Sequence, residues 1–296
     1  MLAPSGSHGW FSFSPLPNRQ ALSWPDGRNV AVSVVLDLRA VEWETPEHPP
    51  AIRPPGGRGI APYPDFPRMG HREFGHRVGV FRLLDMMQSL GITPAAVVDV
   101  LTVEQYEPLV EHLQHGVSEF LAGGLSASRP ITSRMAEDEE YHYIQSTLER
   151  LAARLGVTPV GWLGVEHNES ARTPGLLARS GIGYVADWAN DEQPFPMRGL
   201  WSFPLSWELS DLRAMHERGV SAEDHGRSIE EAFEVLRVDG TRSGRVLALH
   251  LHPWVSGQAF RADALEQALT HLRASSDVWW ASPGEIVDWC RSGGGE

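Results

Sequence analysis

Val30-Ala-Val-Ser-Val-Val-Leu-Asp-Leu38 (VAVSVVLDL) is the stretch on which the fold is decided. It is a β-branched run that starts just after Pro25-Asp26-Gly27 and carries its one charge near its end. Such a run reads as a buried strand that delivers Asp37 to its C-terminal end. A carboxylate placed there is costly to bury without a cation or hydrogen-bond donors, so Asp37 is a candidate ligand, base or orienting acceptor. A cap on the next loop is the plainer alternative.

Outward from this strand, helical and strand patterns alternate. Val80, Leu83, Leu84 and Met87 have helical spacing that Gly91 stops, and a largely apolar run follows at 95–100. Further helices are predicted at 106–113, 137–155, 174–179, just before Gly240, at 262–273 and from Pro283 onward. Strands are predicted at 117–121, 160–163, 183–186, 201–205, 245–251 and 278–280. The alternation predicts a parallel α/β sheet. Repeated short strands with no Gly-rich phosphate turn favour a barrel over a dinucleotide fold.

A length of 296 residues with 42% hydrophobic content suits one barrel domain spanning 1–296. An N-terminal extension covers about 1–28, and a Pro-rich segment covers about 42–70, with eight prolines and four glycines between Glu42 and Gly70. With Trp43, Tyr63 and Phe66 in it, that segment is expected to cover a ligand. The net charge is −13 and every fixed basic side chain is an arginine, so no clustered basic surface supports nucleic acid as a partner. Cys290 is the sole cysteine, which rules out an intrachain disulfide. No uncharged apolar run approaches the ~18 residues a membrane helix needs, and the first residues lack a signal-peptide pattern, so no membrane partner and a cytoplasmic location are expected.

Phosphate-binding glycine motifs are missing. The nearest approach to a nucleophile elbow, Gly124-Leu-Ser-Ala-Ser128, has a serine where its second glycine belongs. Candidate chemistry gathers after predicted strands instead. In RVLALHLHP (245–253), alternation places His250 and His252 on one face, and Pro253 ends the strand beside Trp254. Glu166, His167 and Glu169 follow one strand; Asp187, Asn190 and Asp191 follow the next. Carboxylates so placed suit acid–base work or a hard cation, while each one alone reads as a solvated loop charge. Arg129, Ser133 and Arg134 are candidates for holding an anionic or carbonyl-rich substrate, and Trp188, Trp201, Trp207 and Trp254 for lining a small-molecule pocket.

Taken in order, several segments resemble the allantoinase-like and cyclic-imide-hydrolase-like branch of the polysaccharide deacetylase superfamily across nearly the whole chain. They are His8-Gly9-Trp10 with Ser14-Pro15, Trp24-Pro25-Asp26-Gly27, the strand to Asp37, HREFGHRVGVF (71–81), 119–135, 161–174, 184–196 and Leu251-His252-Pro253-Trp254. The resemblance implies a deformed parallel (β/α) barrel of the polysaccharide deacetylase type that hydrolyses amide-type carbon–nitrogen bonds. In that superfamily a first-strand aspartate is the base, a further aspartate and two histidines hold a metal, and a late histidine is the acid. Asp37 and His252 match the first and the last of these.

The departures are specific. Ala122-Gly123-Gly124 stands where the branch commonly reads Ala-His-Gly, and Ala127 and Ser128 stand where a second metal histidine is carried. Leu38 and Arg39 follow Asp37 with no second acid. The standard Asp–His–His site is therefore not expected from these motifs, and an inward Arg39 would disfavour a cation. A zinc or manganese site rebuilt from His252, Glu166, His167 or Glu169 stays open as a cofactor site.

The expected machinery is Asp37, Glu169 and His252 for catalysis. His71, Arg77, Arg129, Arg134, Glu166, Trp188, Asp191 and Trp254 are expected to hold substrate. The expected activity is hydrolysis of a small amide, imide, ureide or N-acyl compound, in a chain that can also self-associate. A lyase or isomerase on the same fold, and a non-catalytic ligand-binding homologue, are the alternatives.

Overall fold

The computed structural model describes residues 9–43 and 66–293, without the side chain of Arg68. His8 and most of the Pro-rich segment, Tyr63 included, lie outside the described residues. The strands are β1 (Val30–Asp37), β2 (Ala95–Val98), β3 (Phe120–Ala122), β4 (Gly161–Trp162), β5 (Tyr184–Val185), β6 (Phe195–Pro196), β7 (Trp201–Ser202), β8 (Arg245–Leu251) and β9 (Val278–Trp280). The α-helices are α1 (Phe66–Phe74), α2 (Val80–Ser89), α3 (Val100–Gln105), α4 (Glu107–Gly116), α5 (Glu137–Leu155), α6 (Thr173–Arg179), α7 (Ala222–Gly240), α8 (Pro253–Ser256), α9 (Ala259–Ala274) and α10 (Pro283–Arg291).

The strands run in the order β6-β7-β5-β4-β3-β2-β1-β8, with β9 added beside the first half of β1. Every pair is parallel except β6 with β7. Beyond β8 two backbone bonds connect the ends of the sheet: Val246 N–H donates to the Glu192 carbonyl at 2.9 Å, and Ser206 N–H donates to the Ala248 carbonyl at 3.3 Å. The result is a curled, deformed parallel barrel with helices outside it. Such crossovers bury both faces of a parallel strand, which is why β1 and β8 are buried along their whole length.

The barrel is lopsided. β1 and β8 are 8 and 7 residues long, whereas β4, β5 and β7 have 2 each. The long pair brings Val35 opposite His250 and Leu36 opposite Leu251, so Asp37 and the two histidines emerge together at the C-terminal rim. The N-terminal extension packs onto the barrel wall. Trp24 is buried with its indole N–H donating to the Arg245 carbonyl at 2.9 Å, and Arg19 pairs with Asp191 at 2.5 Å.

Two π-helical turns, Gly75–Gly79 and Leu212–Glu217, have no counterpart in the predicted pattern; such turns are frequent at functional sites. The first needs its glycines. A Cβ on Gly75 would lie 2.8 Å from the Trp254 nitrogen, and one on Gly79 would lie 2.1 Å from the Pro253 carbonyl oxygen. Their absence of side chains lets the turn press directly on α8, the short helix that follows His252. Among the described residues no helix is long and apolar enough to cross a membrane.

Candidate active site

At the C-terminal rim, the chain after β1 is held by its neighbours. Asp99, the N-cap of α3, accepts from Ala40 N–H at 2.9 Å and from Thr102 N–H at 2.7 Å. The Leu38 carbonyl accepts from Thr102 Oγ1 at 2.7 Å and from His76 Nε2 at 2.8 Å. With residues 38 and 40 anchored outward, Arg39 turns in.

Its guanidinium forks over Asp37. Nε donates to Oδ1 at 2.9 Å and to Oδ2 at 3.1 Å, Nη2 also donates to Oδ2, and Nη1 donates to the Gly164 carbonyl at 2.7 Å. Asp37 Oδ2 lies 3.0 Å from His250 Nε2 and 3.5 Å from His252 Nε2. Burial alone would raise the Asp37 pKa, but Arg39, His250 and His252 outweigh it and hold the carboxyl well below the usual range. Since this carboxylate is ionised and only accepts, His250 Nε2 is the donor. Burial and the neighbouring His252 keep His250 neutral, with its pKa lowered.

His252 has a second partner. Asp211, wholly buried, accepts from His252 Nδ1 at 2.7 Å through Oδ1, while its Oδ2 accepts from the His252 backbone N–H at 2.8 Å and from Ser256 Oγ at 2.6 Å. Burial works against its charge, but His252 and these hydrogen bonds bring the Asp211 pKa below normal. With Nδ1–H donated to an ionised carboxylate, Nε2 is the nitrogen left to exchange a proton at the cavity. A carboxylate-oriented imidazole of this kind recurs in acid–base sites.

The cavity above these groups has a volume of about 190 Å³. Its walls include Trp207, with Arg213 stacked on it at 3.9 Å, and Trp254, with Arg72 at 5.2 Å. Val165, Glu166 and His167 form another side. Glu166 and His167 both adopt left-handed backbone, φ 52 and 57, conformations that non-glycine residues hold only under constraint.

Behind His167, Asp187 accepts from Gly164 N–H at 2.8 Å, and Glu169 accepts from Trp188 Nε1 at 3.3 Å. Burial raises the pKa of both carboxyls, and for Glu169 the nearby Asp187 adds to the effect. Asp187 Oδ2 faces no N–H or O–H donor among the described residues, and a proton carried by Glu169 supplies one. His167 Nδ1 lies 3.8 Å from Asp187 Oδ1, but burial lowers the His167 pKa to about 3, so this contact is not an ion pair.

Of the residues singled out in the sequence, Asp37, Glu166, His167, Trp207, His250, His252 and Trp254 line the cavity. Glu169 and Trp188 pair with each other outside its lining. His71 stands against the edge of the Trp254 ring at 5.1 Å, and Arg77 is exposed on the π turn. Arg129 is bound to Glu42 at 2.7 Å, Arg134 is exposed, and Asp191 anchors the N-terminal extension through Arg19. The sequence reading missed Asp211 and Arg213. Asp211 follows a strand, as the singled-out carboxylates do, but it stands 41 residues before the histidine it orients.

One expectation is corrected. The structure does assemble an Asp–His–His group, from Asp37, His250 and His252, whose candidate ligand atoms all lie within 4.8 Å of one another. It comes from the two long strands and not from the motifs around Gly123. Donor types and spacing suit a divalent ion. Both Asp37 oxygens, however, already accept from Arg39, and with the guanidinium so seated the group does not fit a metal.

The sequence matches no protein-family model and no curated protein. Its structure is similar to an allantoinase, Puue allantoinase, with a TM-score of 0.81 at 18% identity over 93% of this chain and 95% of the other. It is also similar to a Pseudomonas aeruginosa PAO1 protein assigned as a polysaccharide deacetylase, with 0.79 at 20% identity over 94% and 97% of the two chains. A Mycobacterium smegmatis protein with the same assignment gives 0.76 at 23% identity over 93% and 94%. The long β1–β8 pair, the shortened strands opposite it and these likenesses together establish that the chain has the deformed barrel fold of the polysaccharide deacetylases.

Proposed function

We propose that this protein hydrolyses a carbon–nitrogen bond in a small amide, imide, ureide or N-acyl compound, with His252 as its general acid–base. The observation that carries the reading is the buried 2.7 Å hydrogen bond from His252 Nδ1 to Asp211 at the cavity floor. It fixes the tautomer with the Nε2 lone pair facing substrate, and it stabilises the imidazolium that forms when that nitrogen takes a proton.

In this mechanism water adds to the substrate carbonyl carbon as His252 Nε2 removes its proton. The carbon–nitrogen bond then breaks while the imidazolium returns that proton to the departing nitrogen. Asp37 is the weaker base of the two, because Arg39 and His250 hold it ionised; its charge, 3.5 Å from His252 Nε2, favours the imidazolium. Glu169 keeps its proton and lies outside the cavity lining, so it supports the Asp187–Gly164 wall and does not activate water. Trp207, Trp254, Arg72 and Glu166 are left to orient the substrate. A cavity of about 190 Å³, below the ~300–1,000 Å³ of drug-sized sites, favours a small molecule.

The test is a panel of cyclic imides, ureides and N-acyl amines turned over in ¹⁸O-labelled water, with product mass as the readout. The expected result is solvent oxygen in the carbonyl-derived product and a rate ~10²–10⁴-fold lower for His252→Ala. Turnover that leaves solvent oxygen out of the product would place the protein among lyases or isomerases.

A further inference from the structure

Gly123 and Arg39 fit together as one arrangement. A Cβ built on Gly123 would lie 2.7 Å from Arg39 Cδ, 2.9 Å from Arg39 Cγ and 2.9 Å from Val97 Cγ1. The aliphatic stem of the arginine therefore occupies the volume that any larger residue at 123 would fill. The family resemblance places a metal-site histidine at this position, and no histidine fits there while Arg39 is seated.

The head group completes the exchange. The Arg39 side chain is 7% exposed, and its charge is neutralised by Asp37, the acid that with His250 and His252 makes the one group among the described residues able to hold a metal ion. A buried carboxylate with three guanidinium hydrogen bonds has little left to offer a second cation. Of its five N–H groups, the guanidinium commits one at Nε to Asp37, those at Nη1 to the Leu163 and Gly164 carbonyls and one at Nη2 to Asp37. Arg39 is one of the residues lining the cavity, and its second Nη2 hydrogen has no acceptor among the described residues.

We propose that Arg39 is the resident cation of this site: seated over Gly123, its guanidinium takes the Asp37 carboxylate that a divalent metal would otherwise share with His250 and His252. The site is closed to zinc and manganese while the arginine is in place, and the remaining Nη2 hydrogen meets the substrate carbonyl oxygen. Metal uptake is read without substrate, so this proposal and the hydrolase reading fail separately.

The experiment is equilibrium dialysis of the full chain against zinc alone and manganese alone, with metal content measured by plasma emission and folding checked by thermal melting. Wild type should retain neither. Arg39→Met keeps most of the stem over Gly123 and removes the charge; it should take up about one equivalent of zinc through Asp37, His250 and His252. That uptake should disappear again in Arg39→Met/His250→Ala. Zinc bound by wild type and lost in His250→Ala would overturn the proposal, as would a folded Arg39→Met that takes up none. If Arg39→Met does not fold, Gly123→Ala carries the test. It should lower the melting temperature and raise zinc uptake, whereas no change in either would show that the arginine is not seated over residue 123.

Discussion

Asp37 and Asp187 both stand at C-terminal strand ends of one sheet, with side chains 5% and 1% exposed, yet their pKa values are shifted in opposite directions, Asp37 down and Asp187 up. Asp37 has Arg39 forked over it and a neutral histidine donating to it, and it stays ionised far into acid. Asp187 has a backbone N–H and a second carboxyl, Glu169, and the two keep a proton between them. Burial is common to both. The presence of a fixed counter-charge decides whether a buried carboxylate stays ionised on its own or shares a proton with a neighbour, and so which side of the cavity can support an imidazolium.

The comparison is broken most sharply at Asp211, the other ionised acid. Asp211→Asn keeps the shape but removes the charge and turns one of the two acceptor oxygens that hold His252 and Ser256 into a donor, so the His252 tautomer is no longer fixed. Turnover of a substrate found in the labelled-water panel should fall ~10²–10⁴-fold, with melting temperature monitored in parallel. An unchanged rate would detach His252 from its proposed role.

Next in size is Arg39→Ala, which leaves Asp37 buried without its guanidinium counter-charge. Chemical denaturation at neutral pH should show a loss of ~3–5 kcal/mol, most of it recovered in Asp37→Asn/Arg39→Ala. The folded Asp37 value lies below its unfolded value of about 3.9. Its ion pair therefore contributes in full above that pH and is lost as pH falls through the folded value, so the deficit of the alanine variant should shrink in acid. Gly123→Ala is a smaller perturbation of the same contact. Overpacking against the Arg39 stem should cost ~1–3 kcal/mol by denaturation, and less when Arg39 is already alanine.

On the other side the sign reverses. Glu169 and Asp187 have folded values raised above their unfolded ones, so the folded state binds more protons and stability declines as pH rises from the unfolded value toward the folded one. Glu169→Gln should flatten the decline in melting temperature above neutrality, and an unaltered slope would mean that the pair holds no proton there.

These outcomes also bear on what a sequence can show. β1, β8 and α5 are legible because long, mostly apolar runs and a 19-residue amphipathic segment leave one period to choose. The two-residue strands β4, β5 and β7 are locatable only as centres of apolar runs, and β6, which ends in Pro196, carries no strand signal. Asp37 and His252 were legible from their places at strand ends. Glu169 and Asp191 share that signal and face elsewhere, because a position after a strand does not say which way a loop turns. Arg39 was visible as a neighbour of Asp37; its inward turn depends on Asp99, Thr102 and His76, anchors that come from other segments.

The most direct test of the counter-charge account is a ¹³C NMR titration of the side-chain carboxyls, assigned with Asp37→Asn and Glu169→Gln. The account predicts that Asp37 stays ionised to well below the ordinary aspartate range while the Glu169–Asp187 pair retains one proton through neutral pH. An Asp37 resonance that titrates with an ordinary pKa, or a Glu169–Asp187 pair fully ionised at neutral pH, would contradict it.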